Sequence, residues 1–129
     1  MPLRLLIVDD NERFLEAARG LLEADGVRVV GVASTVAEAL DRHARLRPDV
    51  TLVDVNLGEE SGLELARLLA GPVTEPLARV ILISTYPEED LVDLLEALPV
   101  IGFVTKARLS ASAVSDLVGT FDRRAGGGP

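Results

Sequence analysis

Asp9 and Asp10 follow the apolar run Leu5–Val8, Asp54 follows Val50–Val53, Ser84 and Thr85 follow Val80–Ile83, and Thr105 and Lys106 follow Val100–Val104. Each has an ordinary explanation when taken alone. An Asp pair before a helix can be an N-cap and a first-turn charge. Asp54 can be a turn residue, Thr85 can cap the helix that follows it, and Lys106 can be a solvated surface lysine. The combination has a chemistry of its own. Three carboxylates drawn together repel one another, and their ionisation is then unfavourable unless a cation joins them. Mg²⁺ takes one or two protein carboxylates, keeps several waters and shares its sphere with phosphate oxygens. A carboxylate can also attack phosphorus to give an aspartyl phosphate, and phosphoryl transfer needs metal, lysine and hydrogen-bond donors to neutralise the transferred oxygens.

Such convergence requires a scaffold that brings distant segments together. Leu3–Val8, Val27–Ala33, Val50–Val53, Val80–Ile83 and Val100–Val104 read as strands buried on both faces. Between and after them lie five segments of helical spacing. Their apolar faces are Phe14, Ala17, Ala18, Leu21 and Leu22; Val36, Ala39, Leu40 and Leu46; Leu63, Leu65, Ala66 and Leu69; Leu91, Leu94, Leu95 and Leu98; and Ala113, Val114, Leu117 and Phe121. Thr35 to Glu38, Ser61 to Glu64 and Thr85 to Glu88 match the capping-box pattern, and Gly26 and Gly71 stand at expected helix ends. Strand and helix alternate five times. This predicts an α/β domain with a parallel sheet covered on both faces, and function gathered at the carboxyl ends of its strands.

Composition narrows the classes. The chain has 129 residues, 48% of them apolar, enough for one domain with a real core. A net charge of −8 argues against direct nucleic-acid contact and against docking on an anionic membrane. With no cysteine, a disulfide scaffold, a thiolate zinc site and a Cys nucleophile are excluded. The apolar run that starts at Leu3 stops at Asp9, too short for a signal sequence, so a cytoplasmic home is expected. His43, the single histidine, falls in the second helical segment and reads as a surface residue. Residues 1–122 are expected to form the domain and 123–129 a flexible tail.

The pieces Leu-Leu-Ile-Val-Asp-Asp at 5–10, Leu-Val-Asp-Val-Asn-Leu at 52–57, Ser61-Gly62, Val-Ile-Leu-Ile-Ser at 80–84 and Gly-Phe-Val-Thr-Lys at 102–106 resemble, in this order, the receiver domain of two-component response regulators. The resemblance implies a flavodoxin-like doubly wound fold with strand order 2-1-3-4-5. It implies that Asp54 accepts the phosphoryl group, that Asp10 ligates Mg²⁺ directly and Asp9 mainly through water, and that Asn56 adds its backbone carbonyl. Lys106 would pair with a phosphoryl oxygen. Ser84 would move toward the phosphoryl group and Phe103 would rotate inward behind it. That motion would switch the surface of the fourth helix, fifth strand and fifth helix. A core aromatic is the plain alternative for Phe103. The phosphodonor would be a sensor histidine kinase docking near the first helix and the loop after the fifth strand. The chain would assist its own phosphorylation without being an enzyme in the usual sense.

The sequence departs from that pattern at three positions. Gly58 stands where proline is common, which would loosen the loop after Asp54. Thr85 stands where Ala or Gly is common and would narrow access to Asp54. Ala107 stands where proline is frequent, and a cis bond before alanine costs about 3–4 kcal/mol.

Three other readings compete. A haloacid-dehalogenase-type phosphatase needs a second acid at the position of Asn56, which cannot shuttle a proton. A flavodoxin-like cofactor site needs a phosphate-cradling loop where this chain has Asp-Asp-Asn-Glu. A receiver-like interaction module that is never phosphorylated is opposed by the complete Asp9, Asp10, Asp54 and Lys106 set. A stand-alone receiver is expected, with output through a downstream protein, a homodimer or relay to another histidine protein. The fourth helix carries Glu88, Glu89, Asp90, Asp93 and Glu96, a solvated face that would suit only a basic partner.

Overall fold

The computed structural model describes residues 2–70, 79–85 and 100–126. Five strands form one parallel sheet: β1 (Arg4–Val8), β2 (Arg28–Ala33), β3 (Val50–Asp54), β4 (Val80–Ser84) and β5 (Gly102–Thr105). Their spatial order is β2-β1-β3-β4-β5, the expected 2-1-3-4-5. Three helices separate the early strands, α1 (Glu12–Ala24), α2 (Val36–Leu46) and α3 (Gly62–Ala70), and a C-terminal helix covers Ala111–Gly126. That helix takes in four of the seven residues expected as tail. The fourth helical segment, its acidic face and the stop at Gly71 lie outside the described residues.

Two hydrophobic layers sandwich the sheet. On one face Leu5, Ile7, Leu52, Ile81, Ile83 and Val104 pack with Leu15, Ala18 and Leu22 of α1 and Val114 and Val118 of the C-terminal helix. On the other, Leu6, Val8, Val53 and Leu82 pack with Ala39 of α2 and Leu65, Ala66 and Leu69 of α3. The alternation along each strand explains why central strands are apolar throughout. Each fully buried Leu or Ile contributes about 1.5–3 kcal/mol.

The helix faces differ from the spacing in detail. Ala17 is exposed, and Leu21 and Leu40 are 48% and 39% exposed, while Leu15, absent from the expected face, is buried. Helices on the outside of a sheet bury a narrow stripe, and flanking apolar residues remain in water. In the C-terminal helix Ala113, Leu117 and Phe121 are only half-buried.

The helix ends are chemically specified. Asn11, rather than either Asp, caps α1 by accepting from the Phe14 N–H at 3.1 Å. Thr35 caps α2 by accepting from the Glu38 N–H at 3.1 Å. The Glu38 carboxylate reaches one residue further back and takes the Ser34 N–H at 2.9 Å, so the box is shifted by one position. Ser61 accepts from the Glu64 N–H at the start of α3. Gly26, with φ +90°, follows α1 as expected.

Candidate functional site

β1 and β3 are adjacent, so the chain leaves both strands at the same edge, and Asp9 and Asp54 stand side by side there. Carboxylate oxygens of Asp9, Asp10 and Asp54 lie within 4.8 Å of one another. Asp9 is fully buried and Asp54 is 6% exposed, whereas Asp10 faces solvent. Lys106 follows β5 and reaches across the strand ends. Its Nζ lies 2.6 Å from Asp9 Oδ2 and 2.9 Å from Asp54 Oδ2.

Local backbone fixes both acids. Asp9 Oδ1 accepts from the Asn11 N–H at 2.9 Å, and Asp54 Oδ1 accepts from the Asn56 N–H at 3.0 Å. Each Asp thus binds the N–H two residues on and leaves its second oxygen for the cation. Burial pushes the Asp9 carboxyl above the usual range, and nearby Asp54 adds to this, against the pull of Lys106 and the Asn11 N–H. Burial alone would lower the Lys106 ammonium. Its bonds to Asp9 and Asp54 outweigh that and hold it above the ordinary lysine value.

Two glycines set how close the backbone comes. A Cβ on Gly62 would lie 1.7 Å from the Asp54 carbonyl oxygen, so no side chain fits where α3 starts against the end of β3. The Gly62 N–H also donates to the Val55 carbonyl at 3.1 Å. Gly58 has φ +65°, in the short hairpin that pairs Asn56–Leu57 with Glu60–Ser61. Proline cannot adopt that angle, and Gly58 sits beside Asp10, with 3.3 Å between a built Cβ and Asp10 Oδ2.

The remaining expected residues fall around this centre. Ser84 is buried at the end of β4, paired in register with Thr105. Thr85 is exposed; the capping pattern it begins runs outside the described residues. Asn56 is exposed beside Asp54. Phe103 is half-buried and packs on the sheet face shared with α2 and α3. The Lys106–Ala107 bond is trans, as are all peptide bonds among the described residues, and Lys106–Arg108 form a 3-10 turn. His43 is only half-exposed, and its Nε2 is buried without a hydrogen-bond partner among the described residues, which corrects its reading as a surface residue.

Three contributors escaped the sequence reading. Asn11 anchors Asp9 while capping α1. Gly62 admits the tight contact with Asp54, and the Ser61-Gly62 pair was its only signal. The Phe14 ring lies 4.5 Å from Lys106 Nζ, and nothing in its spacing separates it from a core residue.

The donor set fits a hard divalent cation. All ligand atoms are oxygens, three carboxylates gather where one ammonium pairs with two of them, and the buried Asp9 Oδ2 has no hydrogen-bond partner beyond that ammonium among the described residues. No described helix is long and apolar enough to cross a membrane.

The family description "Response regulator receiver domain" matches residues 5–114. A protein-glutamate methylesterase/protein-glutamine glutaminase of Archaeoglobus fulgidus is 33% identical over 81% of this chain, which spans 30% of that protein's length. The response regulator GacA of Pseudomonas viridiflava is 32% identical over 81% of this chain and is spanned to 48% of its length. The signal receiver domain of NarL from Mycobacterium tuberculosis superposes with a TM-score of 0.76 at 29% identity, covering 89% of this chain and 94% of that one.

Proposed function

The chain belongs to the response regulator receiver domain family, and from that premise we propose that it accepts a phosphoryl group on Asp54 from a sensor histidine kinase. The observation that carries the reading is the single ammonium of Lys106 held against both Asp9 and Asp54 at buried strand ends.

An Asp54 carboxylate oxygen attacks the phosphorus of a phosphohistidine. The new P–O bond forms as the P–N bond breaks, and the imidazole leaves with the electron pair. The Asn56 N–H orients the attacking carboxylate through its other oxygen. Lys106 already lies against Asp54 Oδ2, so a short shift of its ammonium meets the arriving phosphoryl oxygens. Asp9, Asp10, Asp54 and the Asn56 carbonyl would hold Mg²⁺, which supplies charge neutralisation at the phosphoryl group when bound. Water later attacks the phosphorus and releases phosphate, with Asp54 as leaving group. The chain is an acceptor that assists its own turnover, not an enzyme acting on a separate substrate.

The phosphoryl group adds about −1.5 to −2 charge. Ser84, buried at the neighbouring strand end, and Phe103, half-buried on β5, are the residues through which that charge would be read. The readout is a population shift of the surface around β5 and the flanking helices. Its target is a protein partner or a second copy of the chain.

The test is intact-protein mass after incubation with acetyl phosphate and Mg²⁺, beside Asp54→Asn. Wild type gains one phosphoryl group and the variant none. An unchanged wild type that also fails to bind Mg²⁺ would make the chain an unphosphorylated interaction module. An unchanged wild type that binds Mg²⁺ would locate the obstruction at Thr85, and Thr85→Ala would then restore the gain.

A further inference from the structure

Phe14 lies in the first turn of α1 and is half-buried. Its apolar character groups it with the core face of the helix. Its ring packs at the margin of the core and also meets the Lys106 ammonium, with Nζ 4.5 Å from the ring centroid. A cation within about 6 Å of an aromatic face is attracted by the ring quadrupole, more strongly when partly withdrawn from water. Lys106 meets that condition, with its side chain only 18% exposed.

The ring's position is built from the same short segment that fixes the site. Asp9 Oδ1 takes the Asn11 N–H, and Asn11 Oδ1 takes the Phe14 N–H. Two successive hydrogen bonds therefore tie the backbone under the ring to the buried carboxylate that Lys106 pairs with.

We infer that Phe14 is a positioning residue for Lys106, its ring holding the ammonium between Asp9 and Asp54 where the phosphoryl oxygens arrive. The inference rests on Asp54 as phosphoacceptor. A lysine is a strongly hydrated point charge on a flexible four-carbon stem. Asp9 and Asp54 engage it on one side, at 2.6 and 2.9 Å. On another side, water would compete for it, and the ring replaces that water with a surface that favours the cation. Leucine or methionine would fill the space without the quadrupole.

The experiment compares wild type with Phe14→Tyr, Phe14→Leu and trifluorophenylalanine at position 14. In metal-free protein, the Lys106 ε-methylene protons are shifted upfield by the ring current in wild type and Phe14→Tyr and return to ordinary values in Phe14→Leu. With acetyl phosphate and Mg²⁺, phosphorylation slows about 3- to 10-fold in Phe14→Leu. The fluorinated ring, which keeps the shape and drains the face of charge, slows it in the same direction, and Phe14→Tyr stays near wild type. Should Phe14→Leu not fold, the fluorinated variant decides alone. Unshifted Lys106 protons in wild type, or wild-type rates in both the leucine and fluorinated variants, would overturn the inference. If wild type itself takes no phosphoryl group, the reading of Asp54 fails, while the ring-current shift still decides the stacking.

Discussion

Two ion pairs of nearly equal length sit at opposite ends of the sheet. At the amino end, Arg79 meets Asp122 at 2.7 Å with side chains 40% and 48% exposed. At the carboxyl end, Lys106 meets Asp9 at 2.6 Å with side chains 18% and 0% exposed. In the first pair Nε and Nη2 of Arg79 both donate to Asp122 Oδ1, and the Phe121 ring lies 6.0 Å from the guanidinium. Water and salt nonetheless screen it, and such pairs contribute about 0–1 kcal/mol. The second is largely withdrawn from water, so its charges must be answered mainly by another charge or a hydrogen bond. Distance describes both pairs alike, and burial separates a tie on the surface from the candidate site.

The largest test of the contrast concerns backbone rather than charge. Gly62→Ala would place a methyl 1.7 Å from the Asp54 carbonyl oxygen, whereas Gly20→Ala in α1 meets nothing within 4 Å. We expect Gly62→Ala to lose more than about 3 kcal/mol in urea unfolding. Gly20→Ala gains about 0.5–1 kcal/mol from helix propensity. Equal effects would mean that the carboxyl end is no more constrained than the helix surface.

The next test removes each cation. Lys106→Met leaves Asp9 buried without its partner and is expected to cost about 3 kcal/mol in metal-free protein. Arg79→Met is expected to cost no more than about 1 kcal/mol, less still in high salt. Comparable losses and comparable salt sensitivity would abolish the distinction between the two ends.

A third prediction follows from a cluster of three carboxylates of which one ammonium pairs with two. Mg²⁺ at a hundred times its dissociation constant should raise unfolding stability by about 2.7 kcal/mol. Asp10→Ala, which removes an exposed acid of the cluster, should shrink that gain more than it changes stability without metal. Thermal unfolding with and without Mg²⁺ measures both. An equal gain in the variant would place the ion elsewhere.

The smallest effect belongs to a group of intermediate burial. His43 is held below its ordinary value of 6.5 by burial. The unfolded chain therefore takes up this proton first as pH falls. Stability from the neutral imidazole is complete above about pH 6.5, declines below it, and levels off beneath the folded-state value. Subtracting the stability–pH curve of His43→Gln from that of wild type should isolate this decline. A flat difference would mean that the buried Nε2 is of no consequence to the fold.

Much of this molecule was legible because the strands are buried on both faces. Runs such as Val80–Ile83 leave few alternatives, and their alternation with helical spacing fixes the parallel sheet. Asp9, Asp54 and Lys106 were legible because each stands within two residues of the end of such a run. Helix faces were less legible. In α1 the apolar spacing takes in both Leu21 and Leu22, yet Leu21 lies about 120° round the helix from the buried Leu15 and stays in water, while Leu22 meets the core. Asn11 was masked by the two aspartates before it, since Asp and Asn both cap helices. The contact of Phe14 with Lys106 was invisible because it joins the first helix to the end of the last strand, a pairing that only the folded register creates.

Borohydride reduction of the phosphorylated protein followed by peptide mapping addresses the central claim most directly. An aspartyl phosphate is reduced to homoserine, whereas a free carboxylate is not. The account predicts homoserine at position 54 alone after incubation with acetyl phosphate and Mg²⁺, with its yield lowered in Lys106→Met. Homoserine at Asp9 or Asp10, or none at all in protein that binds Mg²⁺, would contradict it.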